Sequence, residues 1–171
     1  MASLTVHEVG DNTTVTTEEV ASIIGATRVA GVRLDEVHAG PLTYEGSAPV
    51  YGVQTEVPKF AYADDPGQIL VRIEHDVSIG ADEDLEDTTE VSVAHVVTFA
   101  LDEDLETTPA ALSAWVETNV YFLAYPYVRE TLTSLTTRMG LPPLILDYLS
   151  RDARPFHNAS DEGRDQGTET L

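Results

Sequence analysis

Residues 108–140 have the sequence TPAALSAWVETNVYFLAYPYVRETLTSLTTRMG, and this stretch largely decides the predicted fold. Thr108 is a favourable N-cap, and Pro109 suits the first helical position because its missing N–H would have no helical partner there. Apolar residues recur at intervals of three and four, which is the spacing of one helix face. Gly140 ends the pattern. We therefore predict one long helix that is kinked or split at Pro126.

Four segments upstream of this helix have the composition of β-strands, because they are rich in β-branched residues and partly alternate between apolar and polar positions. The first is expected to turn Val32, Leu34 and Val37 toward the core. Pro58 cannot donate to a strand pair, so it indicates an edge position or a bulge in the second. Strands followed by a helix predict an α+β fold with an antiparallel sheet covered on one face. The predicted strands span residues 28–38, 50–62, 68–79 and 91–101.

The ends of the chain are more polar than its middle. Residues 1–14 are predicted to be a flexible N-terminus, and 15–24 a short amphipathic helix with favourable Thr and Glu capping residues. Residues 144–149 are expected to dock as a terminal turn. The polar segment 150–171 is predicted to be a disordered acidic tail. The folded domain is therefore expected to span residues 15–149.

The chain is strongly acidic, with 30 Asp and Glu residues against nine Lys and Arg and a formal net charge of −21 over 171 residues. Such a surface repels nucleic acids and anionic membranes, so we expect neither as a partner. It attracts basic segments of other chains, including unfolded ones. A solubility adaptation, for instance to high salt, explains the same charge equally well.

The cellular location of the protein is inferred from segments and residue types that the sequence lacks. No apolar run approaches the length of a membrane span, and the first residues lack the pattern of a signal peptide. The chain has no cysteine, which excludes disulfides and thiolate metal sites. Together these features lead us to expect a cytoplasmic protein with no membrane insertion.

No constellation of catalytic or metal-binding residues is visible. The acidic run near residues 82–87 lacks the glycine and glutamate positions of a calcium loop. The five histidines are scattered without ligand spacing, and no nucleophile elbow or phosphate-binding loop occurs. We therefore predict a protein that is not an enzyme, with no catalytic residues, no metal and no cofactor.

Aromatic and aliphatic residues of the loops and edge strands are the remaining candidates for function. For any one of them, burial in the core or an interface is the more frequent outcome. The alternative is an exposed apolar groove that binds extended hydrophobic polypeptide. These residues are Tyr44, Tyr51, Phe60 and Tyr62 before the sheet centre, and Leu144, Ile145, Tyr148 and Leu149 after the long helix.

Residues 122–146, FLAYPYVRETLTSLTTRMGLPPLIL, resemble the main helix and following loop of SecB, the bacterial protein-export chaperone. The shared elements are the aromatic-Pro-Tyr, the Arg-Glu pair, Thr-Ser-Leu, a later Arg and the Pro-x-Leu-x-Leu ending. A dozen positions in ordered spacing is a far more specific signal than one short motif. The resemblance extends in order over roughly residues 28–149.

This resemblance implies a four-stranded antiparallel sheet with the long, Pro-interrupted helix on one face. It also implies a homotetramer, built as a dimer of dimers, that holds non-native preproteins in apolar grooves without ATP and delivers them to the motor SecA. The groove is then expected at Tyr44, Val50, Tyr51, Leu144, Ile145 and Tyr148, to which the residues themselves add Phe60 and Tyr62. Central helix packing between subunits is expected at Trp115, Phe122, Tyr125 and Leu132.

The sequence departs from the export chaperone at several points. SecA docking in the family uses acidic residues on the exposed sheet face; Asp35 fits one such position, whereas Ala39 and His95 occupy others. The N-terminal helix is an addition, and the connection to the terminal segment is shorter. These departures resemble SecB-like chaperones of actinobacteria and mobile elements, some of which protect an antitoxin.

Three functions are compatible with these residues. The first is an ATP-independent holdase for unfolded preproteins or other non-native polypeptides, acting with SecA in export. The second is a dedicated chaperone of one antitoxin in a toxin–antitoxin system. The third, from a different class, is an acidic scaffold or inhibitor of one folded basic protein.

Overall fold

The computed structural model describes residues 5–10, 15–42, 48–63, 67–81, 88–101 and 105–149. Within them the chain forms six strands, two α-helices of the C-terminal half, one N-terminal α-helix and a π-helical turn. The strands are β1 (Thr5–Glu8), β2 (Thr27–Ala39), β3 (Val50–Thr55), β4 (Lys59–Ala63), β5 (Gln68–Gly80) and β6 (Thr89–Leu101). The helices are α1 (Thr17–Ala26), α2 (Pro109–Trp115) and α3 (Tyr121–Arg138), with the π-helical turn Val116–Val120 between the last two.

All the strands belong to one antiparallel sheet in the order β1-β4-β5-β6-β2, with β3 also pairing with β5. The α+β class is confirmed, but the expected number of four strands was wrong. The run predicted as one strand is divided at residues 56–58, where Pro58 has no N–H to donate, and both parts pair along one side of β5. Residues 5–8, expected to be flexible, form a further strand on β4.

The two central strands are covered by helices on one face. In β5 every second residue from Ile69 to Ile79 is buried, as the sequence alternation predicts. The register places His75 and His95 on this covered face, next to Val93 and Ile73 respectively. The opposite face carries Arg72 and other polar or charged side chains.

Strand β2 forms one edge of the sheet and keeps an apolar stripe. Its register with β6 turns Leu34 and Val37 toward the helix-bearing side, opposite His95 and Val93. Their side chains nevertheless remain 48% and 44% exposed, because the described helices pack over β5 and β6 instead. The expectation that Leu34 and Val37 join the core was therefore wrong.

The long C-terminal helical stretch is irregular upstream of its proline. Thr108 caps α2 by accepting a hydrogen bond from the Ala111 N–H at 3.1 Å. The α-helical pattern changes at the π-helical turn Val116–Val120, whereas Pro126 lies within α3. The long helical stretch is thus interrupted about two turns before Pro126, the residue at which the interruption was predicted. None of the helices within the described ranges is both long and apolar enough to cross a membrane.

The N-terminal helix α1 is fixed by its first residues. The Thr16 hydroxyl accepts from the Glu19 N–H, while the Glu19 carboxylate accepts from the Thr16 N–H at 2.8 Å, which completes a capping box. Burial of Ile23 holds the helix against the core. The helix was expected at 15–24 and spans Thr17–Ala26.

Candidate functional site

A wide groove runs along the exposed side of α3 and is closed on one side by the segment 142–149. We refer to it as the α3 groove; its cavity has a volume of about 810 Å³. Its lining has an apolar and aromatic part, here called the floor, and a polar part, here called the rim. The floor consists of Phe122, Tyr125, Pro126, Tyr148 and Leu149, and the rim of Arg129, Glu130, Thr133, Ser134, Thr137 and Arg138.

Hydrogen bonds from side chains of α3 hold the segment 142–149 against this helix. The Thr136 hydroxyl accepts from the buried Leu144 N–H at 3.0 Å and itself donates to the Leu132 carbonyl at 2.9 Å. The Thr133 hydroxyl donates to the Leu144 carbonyl at 2.7 Å. Further along, the Tyr125 hydroxyl donates to the carbonyl of Asp147. The segment expected to form a terminal turn therefore has no regular secondary structure and is held against α3 by hydrogen bonds.

The predicted residues of this segment take different positions. Leu144 is buried in the core with Leu132, so it anchors the segment instead of lining a groove. Ile145 is exposed, and Tyr148 is 93% exposed with the Arg129 guanidinium 5.6 Å from its ring centroid. This cation–π contact holds the ring over the groove while leaving its surface accessible.

Of the groove residues predicted in and before strand β3, the structure ties one to the segment 142–149. Tyr51 is half-buried, and its hydroxyl donates to the Pro142 carbonyl at 2.6 Å, which ties β3 to the start of the segment. Val50 is half-buried at the beginning of β3. Tyr44 lies outside the described residues.

Phe60 and Tyr62 belong to a different place, which corrects their assignment to the same groove. Both lie on β4, where β1 covers them from the edge of the sheet. Phe60 is buried in the core, with the His7 ring stacked on it at a centroid distance of 5.4 Å. Tyr62 is half-buried against the same core.

Two of the four predicted interface residues are likewise core residues of the single chain. Trp115 is buried edge-on against Phe99 at a centroid distance of 4.6 Å, and Leu132 is buried beneath α3. Neither side chain is available to a second copy, because both fill the space between helix and sheet. Phe122 and Tyr125, in contrast, line the α3 groove.

Sequence reasoning missed the polar half of the groove. Its members Arg129, Thr133 and Thr137 recur at intervals of four, so they share one helix face. This period was visible in the sequence. It was overlooked because the search for a groove followed apolar residues alone.

Two buried histidines lie between the sheet and α3. The His75 Nε2 atom and the Tyr121 hydroxyl are 3.1 Å apart, and that hydroxyl is 3.3 Å from the Thr55 hydroxyl. Burial, followed by the like charge of His95, lowers the pKa of His75 to about 4, and burial raises the pKa of Tyr121. His75 is thus a neutral core residue at neutral pH.

His95 is also buried on the covered face, with its Nε2 atom 3.0 Å from the Thr131 hydroxyl. Burial lowers its pKa as well. Because α3 lies over this side chain, a partner on the exposed sheet face does not reach it. The assignment of His95 to a SecA-docking surface was therefore wrong.

Asp35 occupies the exposed sheet face within a network of charges. Arg72 approaches Asp35 at 3.6 Å and Glu36 at 2.9 Å, and it also pairs with Glu74. Nearby, burial and then the carboxylate of Glu56 raise the pKa of Asp76. Among the residues that the structure describes, no group of three or more acidic or histidine side chains is arranged to hold a metal ion.

No protein-family model matches the chain. Two curated Mycobacterium tuberculosis proteins, the SecB-like chaperone Rv1957 of strain H37Rv and MT2006 of strain CDC 1551, are each 50% identical to it over 40 residues. This match covers 23% of the chain and 22% of each relative. The solved structure of Rv1957 in complex with a ChAD peptide from the Rv1956 HigA1 antitoxin has a TM-score of 0.69 at 24% identity. The superposition covers 80% of this chain and 100% of that one.

The chain has a SecB-like fold, and over 40 residues it is similar in sequence to SecB-like chaperones. The SecB-like fold extends over most of the described domain, whereas close sequence similarity is confined to one segment spanning less than a quarter of the relatives' length. The six-stranded sheet and the α3 groove thus belong to a SecB-like fold, and both curated relatives are named as chaperones.

Proposed function

We propose that this protein is an ATP-independent chaperone that binds non-native polypeptides. The observation that carries the proposal is the α3 groove, an open apolar surface on a SecB-like fold. Exposed aromatic surface of this kind on a soluble domain is characteristic of an interaction site. The rim of hydroxyl and charged side chains supplies hydrogen bonds to a bound main chain without requiring a particular client sequence.

The affinity of such a groove comes mainly from the client's apolar side chains. Each Å² of apolar surface removed from water contributes about 25 cal/mol before the cost of ordering the client. Arg129 and Arg138 add local positive charge at the groove, while the net charge of −21 keeps a loaded complex from associating further. The same charge favours clients with basic segments.

Assembly into a homotetramer, as a dimer of dimers, forms part of this proposal. Strand β2 is 13 residues long, pairs on one side with β6, and exposes Leu34 and Val37 on the helix-bearing side. A long edge strand with apolar side chains is a favourable surface for a second copy. Phe122 and Tyr125 of α3, which were expected between subunits, belong to the client groove in this proposal.

Two classes of client are compatible with the proposal: exported preproteins and an antitoxin. Preprotein export through SecA would use the exposed sheet face around Asp35. Service to an antitoxin is supported equally by the solved complex of Rv1957, which contains a ChAD peptide from the HigA1 antitoxin. In both cases the protein acts in the cytoplasm, because a holdase must meet its client before that client folds or crosses a membrane.

The proposal is tested by the aggregation of reduced insulin, followed by light scattering at a stoichiometric amount of the protein and without nucleotide. We expect suppression by the unmodified chain and clearly weaker suppression by Tyr148→Ser, which removes the most exposed ring of the groove. Tyr127→Ser is the matched control, because Tyr127 is an exposed tyrosine of α3 that does not line the groove. Absence of suppression by the unmodified chain would instead favour an acidic scaffold with one folded partner.

A further inference from the structure

Strand β1 covers a strand edge and an apolar cavity that are separate from the α3 groove. It pairs with β4 through four residues, which places His7 opposite Phe60 and Glu8 opposite Lys59. The imidazole of His7 stacks on the Phe60 ring. Beside this pair lies a cavity of about 480 Å³, whose apolar lining comes from Phe60, Tyr62, Leu105, Pro109 and Leu112.

The contacts that hold β1 in place are few. Val6 is 62% exposed, and the Glu8–Lys59 ion pair spans 3.9 Å between two exposed side chains. Exposed ion pairs contribute little to stability, and a strand of four residues paired on one side is marginal by itself. At its C-terminal end, the Val9 N–H donates to the Pro58 carbonyl at 3.0 Å and the Gly10 N–H donates to Ser113 at 3.4 Å. Within the described residues, β1 is thus a short strap whose C-terminal end is tied to the fold by two main-chain donors.

The side chain that β1 presents to the cavity fits it poorly. His7 is a polar ring that is only half-buried, whereas the surrounding side chains are predominantly apolar. An aliphatic or aromatic residue at the same place would remove more apolar surface from water. The backbone edge of β4 is independent of sequence and accepts any extended chain that supplies the ladder hydrogen bonds.

The edge beneath β1 also continues beyond it. Strands β3 and β4 pair with the same side of β5, so residues 50–63 form one interrupted edge. Strand β1 (Thr5–Glu8) pairs only with the β4 part of this edge. A client strand longer than β1 therefore has additional main chain to pair with. A second copy of β1 has no such advantage, since it has the same four residues.

We propose that β1 is a displaceable internal competitor, and that an extended segment of a client polypeptide pairs with the β4 edge in its place. This inference rests on the proposed polypeptide-binding function and assigns it a second site. The preferred segment has an apolar residue in the position of His7 and an acidic residue opposite Lys59. Lys59 is the single lysine of a chain with net charge −21, so it gives this edge a local positive charge that favours an acidic residue of the client.

A reversible lock tests the inference. The chain has no cysteine, and Val6 and Ala61 lie directly opposite each other, so the double variant Val6→Cys, Ala61→Cys can form one disulfide between β1 and β4. The probe is fluorescent carboxymethylated α-lactalbumin, which remains unfolded and has no reactive thiol. We expect the oxidised protein to bind it about ten-fold more weakly than the reduced protein, because one of two linked sites is closed.

Two point variants provide a check that does not depend on the disulfide. His7→Leu fills the cavity, strengthens β1 and is expected to weaken binding of the probe. Val6→Ala, on the outward side of the same strand, is expected to leave binding unchanged. Hydrogen exchange should show that amides of residues 5–9 lose protection when the probe binds, while those of residues 59–63 keep theirs.

Equal binding by the oxidised and reduced proteins, or unchanged protection of residues 5–9, would overturn this inference alone. Absence of probe binding by the reduced protein would refute the proposed function and this inference together. A rise in molecular mass on reduction, without probe, would assign the edge to a second copy and would also overturn the inference.

Discussion

At the scale of the residue, the informative feature is a histidine that the core keeps neutral. His75 alternates with Ile73 and Val77 on the covered face of β5, so its place in the core was predictable from the alternation alone. Its hydrogen-bond partner Tyr121 was not predictable, because this contact joins β5 to a helix residue that lies 46 positions later in the chain. The same is true of His95, whose burial depends on where α3 crosses β6.

The pKa of His75 gives a prediction for pH dependence. The unfolded chain takes up a proton on this side chain as the pH falls below the ordinary value of 6.5, whereas the folded chain does so only near 4. The free energy of unfolding is therefore undiminished above pH 6.5 and falls as the pH decreases from 6.5 to 4, by about 3 kcal/mol for this group. His75→Gln should remove that part of the decrease in urea unfolding measured across this range.

The control is His38→Gln, because His38 is exposed on β2 and does not belong to the core. The pKa of His95 is also lowered, and His95 is present in both variants. An equally steep profile in His75→Gln would show that this histidine is not the origin of the pH dependence.

At the scale of the element, the sequence predicted the long regular pieces and missed the short or irregular ones. Strand β5 alternates over nearly all of its 13 residues, which is typical of a strand with one covered face, and β6 is an equally long run rich in β-branched residues. Strand β1 has four residues in a polar N-terminus, and only its partner β4 makes it a strand. The segment 142–149 has no period, because its conformation is imposed by side chains of α3.

The dependence of that segment on α3 gives a second prediction. Thr136→Val keeps the shape of the side chain but leaves the buried Leu144 N–H without its acceptor at 3.0 Å. Leaving a buried donor unpaired costs about 1–3 kcal/mol, so the free energy of unfolding in urea should decrease by that amount. Thr137→Val, one position further on the exposed side, should cost clearly less. Equal losses in the two variants would contradict the anchoring role of Thr136.

At the scale of the whole molecule, the resemblance to SecB predicted the α+β SecB-like fold, but neither the number of strands nor the burial of every side chain. A short sequence match identifies which elements are present, whereas burial depends on how helices cover the sheet. This is why Trp115 and Leu132, expected between subunits, are core residues of the single chain. Conversely, Leu34 and Val37 were expected inside and lie exposed at the β2 edge.

The exposed edge gives a prediction for assembly. If two copies associate through β2, the double substitution Leu34→Glu and Val37→Glu places unpaired carboxylates in the interface and should reduce the molecular mass measured by multi-angle light scattering. Val53→Glu is the control, because Val53 is a comparably exposed valine of β3. A mass that is unchanged by the β2 substitutions would exclude this edge from the interface.

The most direct test of the chaperone proposal compares two states of one client. Isothermal titration without nucleotide would measure binding of native α-lactalbumin and of its reduced, carboxymethylated form, which have nearly the same sequence and differ in folding. We predict binding of the unfolded form only, with the negative heat-capacity change that accompanies burial of apolar surface. Binding of neither form, or equal binding of both, would contradict a function in holding non-native polypeptides.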